Sequence, residues 1–280
     1  MKKLKKLILV SAAVLGLTVV NDGLVKADDF INGADISILD EMENSGAVYK
    51  SNGTQKDPLT ILKDNGVNYV RLRLWVDPYD ANGNPYGAGT NDLNRTLKLA
   101  KRAKNKGLKV LLDFHYSDFW VDPGKQNLSK AWQNQSFEQL NSSVYSYTAD
   151  VLNQMKSKGI YPDMVQIGNE LNSGMLWPYG KSWGGDGKEF TRLATFLKSG
   201  VQAVKDTQSS NTPIMLHLAD GGNQSTFQWW LDEITNQSVD FDIVGISYYP
   251  YWHGSLADLS ANMDNISERY NKKVVVDIMP

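Results

Sequence analysis

Short apolar stretches rich in β-branched residues alternate with amphipathic stretches along most of the chain. The first kind is typical of buried strands, and the second is typical of helices that pack on a sheet. The pattern predicts seven strands, over residues 31–37, 68–75, 109–114, 164–170, 213–219, 243–250 and 273–278. It predicts helices between them, for example over residues 91–106 and 137–157.

Glycines mark the ends of three of these units. Gly66, Gly107 and Gly159 each follow a predicted helix and precede a predicted strand, which is the position of a C-terminal helix cap. The alternation of strand and helix predicts a parallel sheet. The length of 280 residues is close to the ~250 residues typical of one (β/α)8 barrel.

We therefore predict the α/β class and a (β/α)8 TIM barrel. The eighth strand is absent from this prediction, because the sequence stops at Pro280 directly after the seventh. An open, doubly wound sheet is the structural alternative. No glycine-rich phosphate-binding motif opens a predicted helix, so nucleotide binding has little support.

The first residues have the pattern of a secretory signal peptide. Four lysines precede an apolar run over residues 7–20, and the small residues Val25 and Ala27 stand at the −3 and −1 positions of a cleavage site before Asp28. The run is short for a membrane span, which disfavours the alternative of an uncleaved anchor. We expect a signal peptide over residues 1–27, a secreted catalytic domain over residues 28–280, and no membrane association after processing.

Charge and composition narrow the class of partner. The chain has 29 basic and 31 acidic residues, a net charge of −2, so no strong field attracts nucleic acid. There are 8 tryptophans and 13 tyrosines, whose flat faces can stack on sugar rings, and no cysteines. An uncharged polysaccharide fits this balance as the substrate, and we expect a monomer that binds no nucleic acid.

The segment MVQIGNEL, residues 164–171, carries the most informative pair of polar residues. An apolar run ends in Asn169 and Glu170, where a barrel strand would meet the active-site rim. Sugar-cleaving barrels need a carboxylic acid at such a position to protonate the departing oxygen. The alternative is a glutamate that ends a strand and points into solvent.

Other predicted strands also end in polar or aromatic residues. Arg73 could orient a catalytic carboxylate and keep it ionised, or form a salt bridge at the barrel mouth. His115 and His217 could bind sugar hydroxyls or carboxylates, or be buried histidines with structural partners. Tyr249 could donate its phenol hydrogen to a nucleophilic carboxylate, or only pack.

Two aspartates and several absent motifs complete the survey. Asp118 and Asp220 are expected to cap helices or order loops. No HExxH, no pair of histidines one helical turn apart and no EF-hand loop occurs, so we expect no catalytic metal. No GxSxG motif occurs either, which disfavours a serine nucleophile.

Five segments together give the sequence a family resemblance. They closely resemble bacterial arabinogalactan endo-β-1,4-galactanases of glycoside hydrolase family 53, in order and across residues 30–276. The segments are GADIS (33–37), NYVRLRLW (68–75), KVLLDFHYSDFWVDPGKQ (109–126), PDMVQIGNELNSGMLWP (162–178) and ISYYPYWHG (246–254).

The resemblance implies a retaining, endo-acting enzyme that cuts β-1,4 bonds in the galactan side chains of pectin. Glu170 matches the general acid/base, and Asn169 matches the residue that binds the sugar 2-hydroxyl. Arg73 and Tyr249 would support the nucleophile. The remaining matched residues would line the cleft: His115, Trp120, His217 and Trp252.

The sequence departs from the family in its last predicted strand. Residues 272–280 are KKVVVDIMP, and counting from Tyr270 places Ile278 where the family has a nucleophilic glutamate. Asp277 comes one residue early, and strict alternation would turn it away from the barrel lumen. We therefore expect a family member shortened at its C-terminus, without an intact nucleophile.

Two alternatives and one cofactor question remain. The chain could be a galactan-binding barrel that has lost catalysis, or a hydrolase of another β-linked polysaccharide such as mannan or xylan. The family's calcium loop, where present, lies beyond the seventh strand and would fall after Pro280. We therefore expect no cofactor in this chain.

Overall fold

The computed structural model describes residues 30–208 and 211–278, with side chains up to Val276. The predicted signal peptide, residues 1–27, lies outside them. The described residues form a sheet of seven parallel strands whose spatial order is their order along the chain. The strands are β1 (Gly33–Asp35), β2 (Tyr69–Leu74), β3 (Lys109–Phe114), β4 (Met164–Ile167), β5 (Ile214–Leu218), β6 (Ile243–Ser247) and β7 (Lys273–Ile278).

Helices connect successive strands, and their apolar faces form the main core with the sheet. No helix in the described part of the chain is long and apolar enough to cross a membrane. The helices are α1 (Leu39–Asn44), α2 (Pro58–Asp64), α3 (Leu93–Asn105), α4 (Phe137–Ser157), α5 (Glu189–Thr207), α6 (Gln224–Asn236) and α7 (Leu256–Tyr270).

Local sequence signals set several helix ends. Gly66, Gly107 and Gly159 have φ values of +87°, +72° and +66°, which confirms the predicted helix caps. The start of α4 is fixed by a capping box, in which Ser136 and Gln139 each accept the other's backbone N–H.

Side chains alternate between the two faces of the sheet, as the pleat requires. Apolar residues near the starts of the middle strands form a second cluster, separate from the main core: Leu111, Met164, Met215 and Ile243. Two or four residues further along the same strands, the buried side chains are polar: Asp113, Gln166, His217 and Ser247. On this face of the sheet, each of these strands therefore changes from apolar to polar toward its C-terminal end.

Two aspartates join neighbouring strands at the opposite, N-terminal end. The Asp163 carboxylate accepts the backbone N–H of Val110 at 2.7 Å, and its own N–H donates to the Val110 carbonyl at 2.8 Å. Asp242 forms the same pair of contacts with Ile214, at 2.8 Å and 2.9 Å. The starts of β3 and β5 are thus each fixed by the residue that leads into the next strand.

The fourth strand is shorter than predicted. It ends at Ile167 rather than at residue 170, because Gly168 has a φ of +78° and leaves the strand conformation. Leu171 also packs over this position, and a Cβ on Gly168 would lie 2.6 Å from its Cδ2. Glu170 consequently lies in the loop, three residues beyond the strand.

The pairing of β6 with β7 contains a one-residue irregularity. Ile246 pairs with Val276, but the next residue, Ser247, pairs with Ile278. The extra residue in β7 is Asp277, and such a bulge interrupts strict two-residue alternation. The sequence prediction assigned the residues of β7 to the two faces by strict alternation. That assignment is therefore not valid at Asp277.

Candidate active site

Glu170 is held in an unusual backbone conformation at the C-terminal end of the sheet. Its φ and ψ are 49° and 57°, the left-handed region, and it leads into a 3-10 turn over Leu171–Ser173. A residue other than glycine adopts this conformation at a cost of order 1–3 kcal/mol, and such residues concentrate at functional sites. The side chain is half-buried rather than pointing freely into solvent.

Two neighbouring strands provide polar contacts to Glu170. The Ser247 hydroxyl, at the end of β6, donates to Glu170 Oε1 at 2.6 Å. The Glu170 backbone N–H donates to His217 Nδ1 on β5 at 3.1 Å. His217 Nε2 lies 3.1 Å from Ser247 Oγ, so all three residues are connected.

Asn169 is buried and fixed by three elements. Its Oδ1 accepts from Arg71 at 2.9 Å and from Gln166 at 3.3 Å, and its Nδ2 donates to the Val121 carbonyl at 2.8 Å. A primary amide has two N–H hydrogens, and this contact occupies one of them. The side chain is therefore already oriented, as a residue that recognises one hydroxyl should be.

A cluster of charged side chains, all buried except Asp35, adjoins Asn169 through Arg71. Arg71 contacts Asp35 at 3.0 Å and Asp113 at 2.8 Å, and Asp113 also contacts His115 Nε2 at 2.8 Å. Burial acts to raise the pKa of Asp113, but the charge of Arg71 and the His115 hydrogen bond hold that pKa below its usual value. Burial lowers the pKa of His115, which favours its neutral form.

Arg73 faces the same side as Arg71. Its Nε lies 3.5 Å from Asp35 Oδ2, and its guanidinium carbon lies 4.0 Å from the centre of the Trp120 ring. Burial lowers the pKa of Arg73, and the charge of Asp35 opposes this shift. The predicted salt bridge of Arg73 is therefore present, at the C-terminal edge of the sheet.

The aromatic residues fall into two groups. Trp120 packs edge-on against His115 with ring centres 5.7 Å apart, so it belongs to the charged cluster. Trp252 is 71% exposed and contacts Tyr249 with ring centres 6.0 Å apart. The structure therefore brings Trp252 together with Tyr249, whose phenol group also acts electrostatically on Arg73.

Asp118 and Asp220 order loops, as predicted. Asp118 accepts from the Asp77 backbone N–H at 3.0 Å and from the Ser129 hydroxyl at 2.7 Å. Asp220 accepts from the Asn223 side chain at 2.9 Å, next to the start of α6. Within the described residues, no group of three or more His, Asp or Glu side chains could hold a metal ion.

Sequence reasoning assigned no role to several residues that build the site. Arg71, Asp113, Gln166 and Ser247 make the contacts that orient Asn169 and Glu170. All four are buried. Their signal in the sequence is a polar residue in an otherwise apolar strand, near the strand's C-terminal end.

The predicted nucleophile position remains a prediction. The side chains of Asp277 and Ile278 lie outside the described part of the structure. The backbone pairs Ile278 with Ser247, whose side chain contacts Glu170. Residue 278, the position that the family resemblance assigns to the nucleophile, is therefore the partner of Ser247 on the neighbouring strand.

The sheet is parallel and is packed against helices, and Glu170 lies just beyond the C-terminal end of its fourth strand. Active sites of barrel enzymes lie at that face, and glycoside hydrolysis requires a carboxylic acid there. The comparisons with known proteins make this specific. The chain belongs to glycosyl hydrolase family 53, whose model matches residues 31–279.

The relatives carry consistent names. An endo-beta-1,4-galactanase of Bacillus subtilis (strain 168) is 41% identical over 249 residues, which cover 89% of this chain and 56% of that protein. An arabinogalactan endo-beta-1,4-galactanase of Cellvibrio japonicus is 38% identical and is covered to 71%. The chain thus spans little more than half of the first relative.

Solved structures confirm the fold. The GH53 catalytic domain of Ignisphaera aggregans superposes with a TM-score of 0.84 at 44% identity, over 89% of this chain and 67% of that one. A fungal beta-1,4-galactanase gives a TM-score of 0.79 at 36% identity, over 88% and 72%. The predicted α/β barrel class is therefore correct.

Proposed function

We propose that the chain is the galactan-cleaving part of a secreted, endo-acting hydrolase of β-1,4-galactan, with Glu170 as general acid/base. The observation that carries the proposal is the position of Glu170. It lies at the C-terminal face of the barrel, in a strained backbone conformation, with one carboxylate oxygen held by a serine. The family and the printed names of the relatives support galactan as the substrate.

The surrounding residues have distinct roles in this proposal. Asn169, fixed by Arg71 and Val121, would bind the 2-hydroxyl of the sugar next to the cleaved bond. Arg73 would orient the nucleophilic carboxylate of a retaining mechanism, and Trp120 would contact the substrate beside it. Trp252 and Tyr249 would offer an exposed surface for a more distant sugar.

A second candidate function is galactan binding without hydrolysis. The observation in its favour is Ile278, an apolar residue at the position that the resemblance assigns to the nucleophile. In that case the orienting residues would still bind the chain of sugars. No covalent glycosyl-enzyme intermediate could form at that position.

One pair of measurements distinguishes these functions. The protein is incubated with β-1,4-galactan, with mannan and with xylan, and reducing ends are counted while binding is followed by affinity electrophoresis. Release from galactan alone supports the hydrolase. Retardation by galactan without release supports the binding barrel, and release from mannan or xylan in preference to galactan contradicts the proposed substrate.

A further inference from the structure

Glu170 and its two polar neighbours form a closed ring of hydrogen bonds. The ring runs from the Glu170 backbone N–H to His217, from His217 to Ser247, and from Ser247 back to the Glu170 carboxylate. The distances are 3.1 Å, 3.1 Å and 2.6 Å. His217 and Ser247 are both fully buried. A glutamate is thus linked to its own backbone through two other side chains.

The direction of every bond in this ring follows from one donor. A backbone N–H can only donate, so His217 Nδ1 accepts and carries no proton. The ring proton of the imidazole is therefore on Nε2, which donates to Ser247 Oγ. A serine has one hydroxyl hydrogen, and with Oγ accepting from His217, that hydrogen goes to Glu170 Oε1.

We propose that Ser247 and His217 are positioning residues, which reserve Oε1 of Glu170 for the protein and so present Oε2 to the glycosidic oxygen. When Glu170 is in its acid form, its proton is then on Oε2, because Oε1 accepts from Ser247. This inference rests on the proposed role of Glu170 as the acid/base. The ring itself is independent of that role.

A glycine on the neighbouring strand makes room for the ring. Gly245 pairs with His217, and a Cβ on Gly245 would lie 3.1 Å from His217 Cδ2 and 2.8 Å from Met215 Sδ. Both contacts are closer than ordinary van der Waals packing. The sequence GIS over residues 245–247 therefore supplies an empty position and a hydroxyl on one face of β6, at the two-residue spacing of a strand.

Nuclear magnetic resonance of the ¹⁵N-histidine-labelled protein tests the ring without any assay of activity. We expect neutral His217 with a bare Nδ1 and a protonated Nε2. In Ser247→Ala, the His217 Nε2 resonance and the ¹³C resonance of the Glu170 carboxyl group should both move. A His217 protonated on Nδ1, or a Ser247→Ala spectrum in which both resonances stay in place, would overturn the proposal.

A matched variant controls for the loss of a hydroxyl group. Ser199 on α5 donates to Asn141 on α4 at 2.6 Å, away from Glu170. Ser199→Ala should leave both resonances unchanged, and Ser247→Thr should restore them because it keeps the hydroxyl. If Ser247→Ala does not fold, the tautomer of wild-type His217 and the Ser247→Thr spectrum still decide the question.

Kinetics test the consequence for catalysis. Ser247→Ala should lower kcat/KM on galactan about tenfold, the effect of one hydrogen bond to a charged group. On a dinitrophenyl β-galactobioside, whose phenol leaves without a proton, kcat/KM should be unchanged. Equal losses on both substrates would indicate general disruption and would contradict a positioning role.

The two proposals can fail separately. A wild-type protein that cleaves neither substrate counts against the proposed function alone. The histidine tautomer and the response of the Glu170 carboxyl resonance then still decide whether Ser247 and His217 position that side chain. Cleavage together with a Nδ1-protonated His217 would keep the function and overturn the ring.

Discussion

Two carboxylates near the C-terminal face of the sheet, those of Asp113 and Glu170, differ in their burial and in their hydrogen-bonding partners. Asp113 is fully buried inside β3, and its Oδ2 contacts Arg71 and His115, each at 2.8 Å. Glu170 lies in a loop, is half-buried, and receives a hydrogen bond from a neutral hydroxyl. One carboxylate is neutralised by a cation, and the other is only oriented.

This difference separates a structural role from a chemical one. A buried carboxylate paired with arginine is locked in its charged form, so it cannot deliver a proton near neutral pH. A general acid must gain and lose a proton during each cycle, which an oriented but unpaired carboxylate can do. The comparison predicts that removing Glu170 affects activity, whereas removing Asp113 affects stability.

The largest expected effect is on cleavage by Glu170→Gln. Loss of the proposed general acid/base catalysis should reduce galactan cleavage by about 10²–10⁴-fold. The thermal unfolding midpoint should change little, because glutamine can still accept from Ser247. Reducing-end release and differential scanning calorimetry of the same preparation check both halves. An undiminished rate would remove Glu170 from the mechanism.

Asp113→Asn should show the reverse pattern. The change leaves Arg71 as a buried cation with one carboxylate fewer, and breaking such a pair costs about 3–5 kcal/mol. We expect that loss in the free energy of unfolding, measured by urea denaturation. A variant as stable as the wild type would show that Asp35 alone neutralises Arg71.

A smaller effect is expected from substitution of Gly168, the residue at which the chain leaves the fourth strand before Glu170. In Gly168→Ala, the alanine would have to adopt a φ near +78°, and its Cβ would displace the Leu171 side chain. We therefore expect the free energy of unfolding to fall by about 1–3 kcal/mol. Activity should fall together with stability, because the loop that carries Glu170 must move. Gly159→Ala is the matched control, since its φ is also positive but nothing lies within 4 Å.

The smallest effect is a pH dependence of stability from the charged cluster. Because burial lowers the pKa of His115, the unfolded chain binds a proton near pH 6.5 that the folded protein does not. Stability should therefore decrease as the pH falls below 6.5, by at most about 1.4 kcal/mol per pH unit.

A second loss should appear at lower pH. The pKa of Asp113 is also lowered, so its contribution is present above pH 3.8 and is lost below it. Urea denaturation between pH 7 and pH 5 follows the loss that begins below pH 6.5, before the loss from Asp113 sets in. His115→Gln should make the dependence less steep in that range, and an unchanged slope would contradict the assignment to His115.

The sequence predicted the sheet well, because strands buried by helices must be apolar runs. Residues 109–114 and 273–278 match their strands, and 137–157 matches α4. The overlong fourth strand shows the limit, since its apolar pattern does not reveal the positive φ of Gly168. Asn169 and Glu170 could be picked out from the sequence because they are adjacent polar residues at the end of that apolar run.

Ser247 could not be predicted from the sequence. A serine after an apolar run is common, and its contact with Glu170 joins residues 77 positions apart. Only the pairing of strands places these two side chains next to each other. The charged cluster is similar, because nothing local indicates that Arg71 on β2 meets Asp113 on β3.

The two aspartates that lead into β4 and β6 lie at the opposite end of the sheet from Glu170. Asp163 and Asp242 bind only backbone groups of β3 and β5. These contacts therefore do not depend on the side chains of those two strands. The sheet is thus held together at the end opposite Glu170. A change in the length or sequence of the rim loops should therefore leave these contacts intact, so the two ends of the sheet can be altered independently of each other.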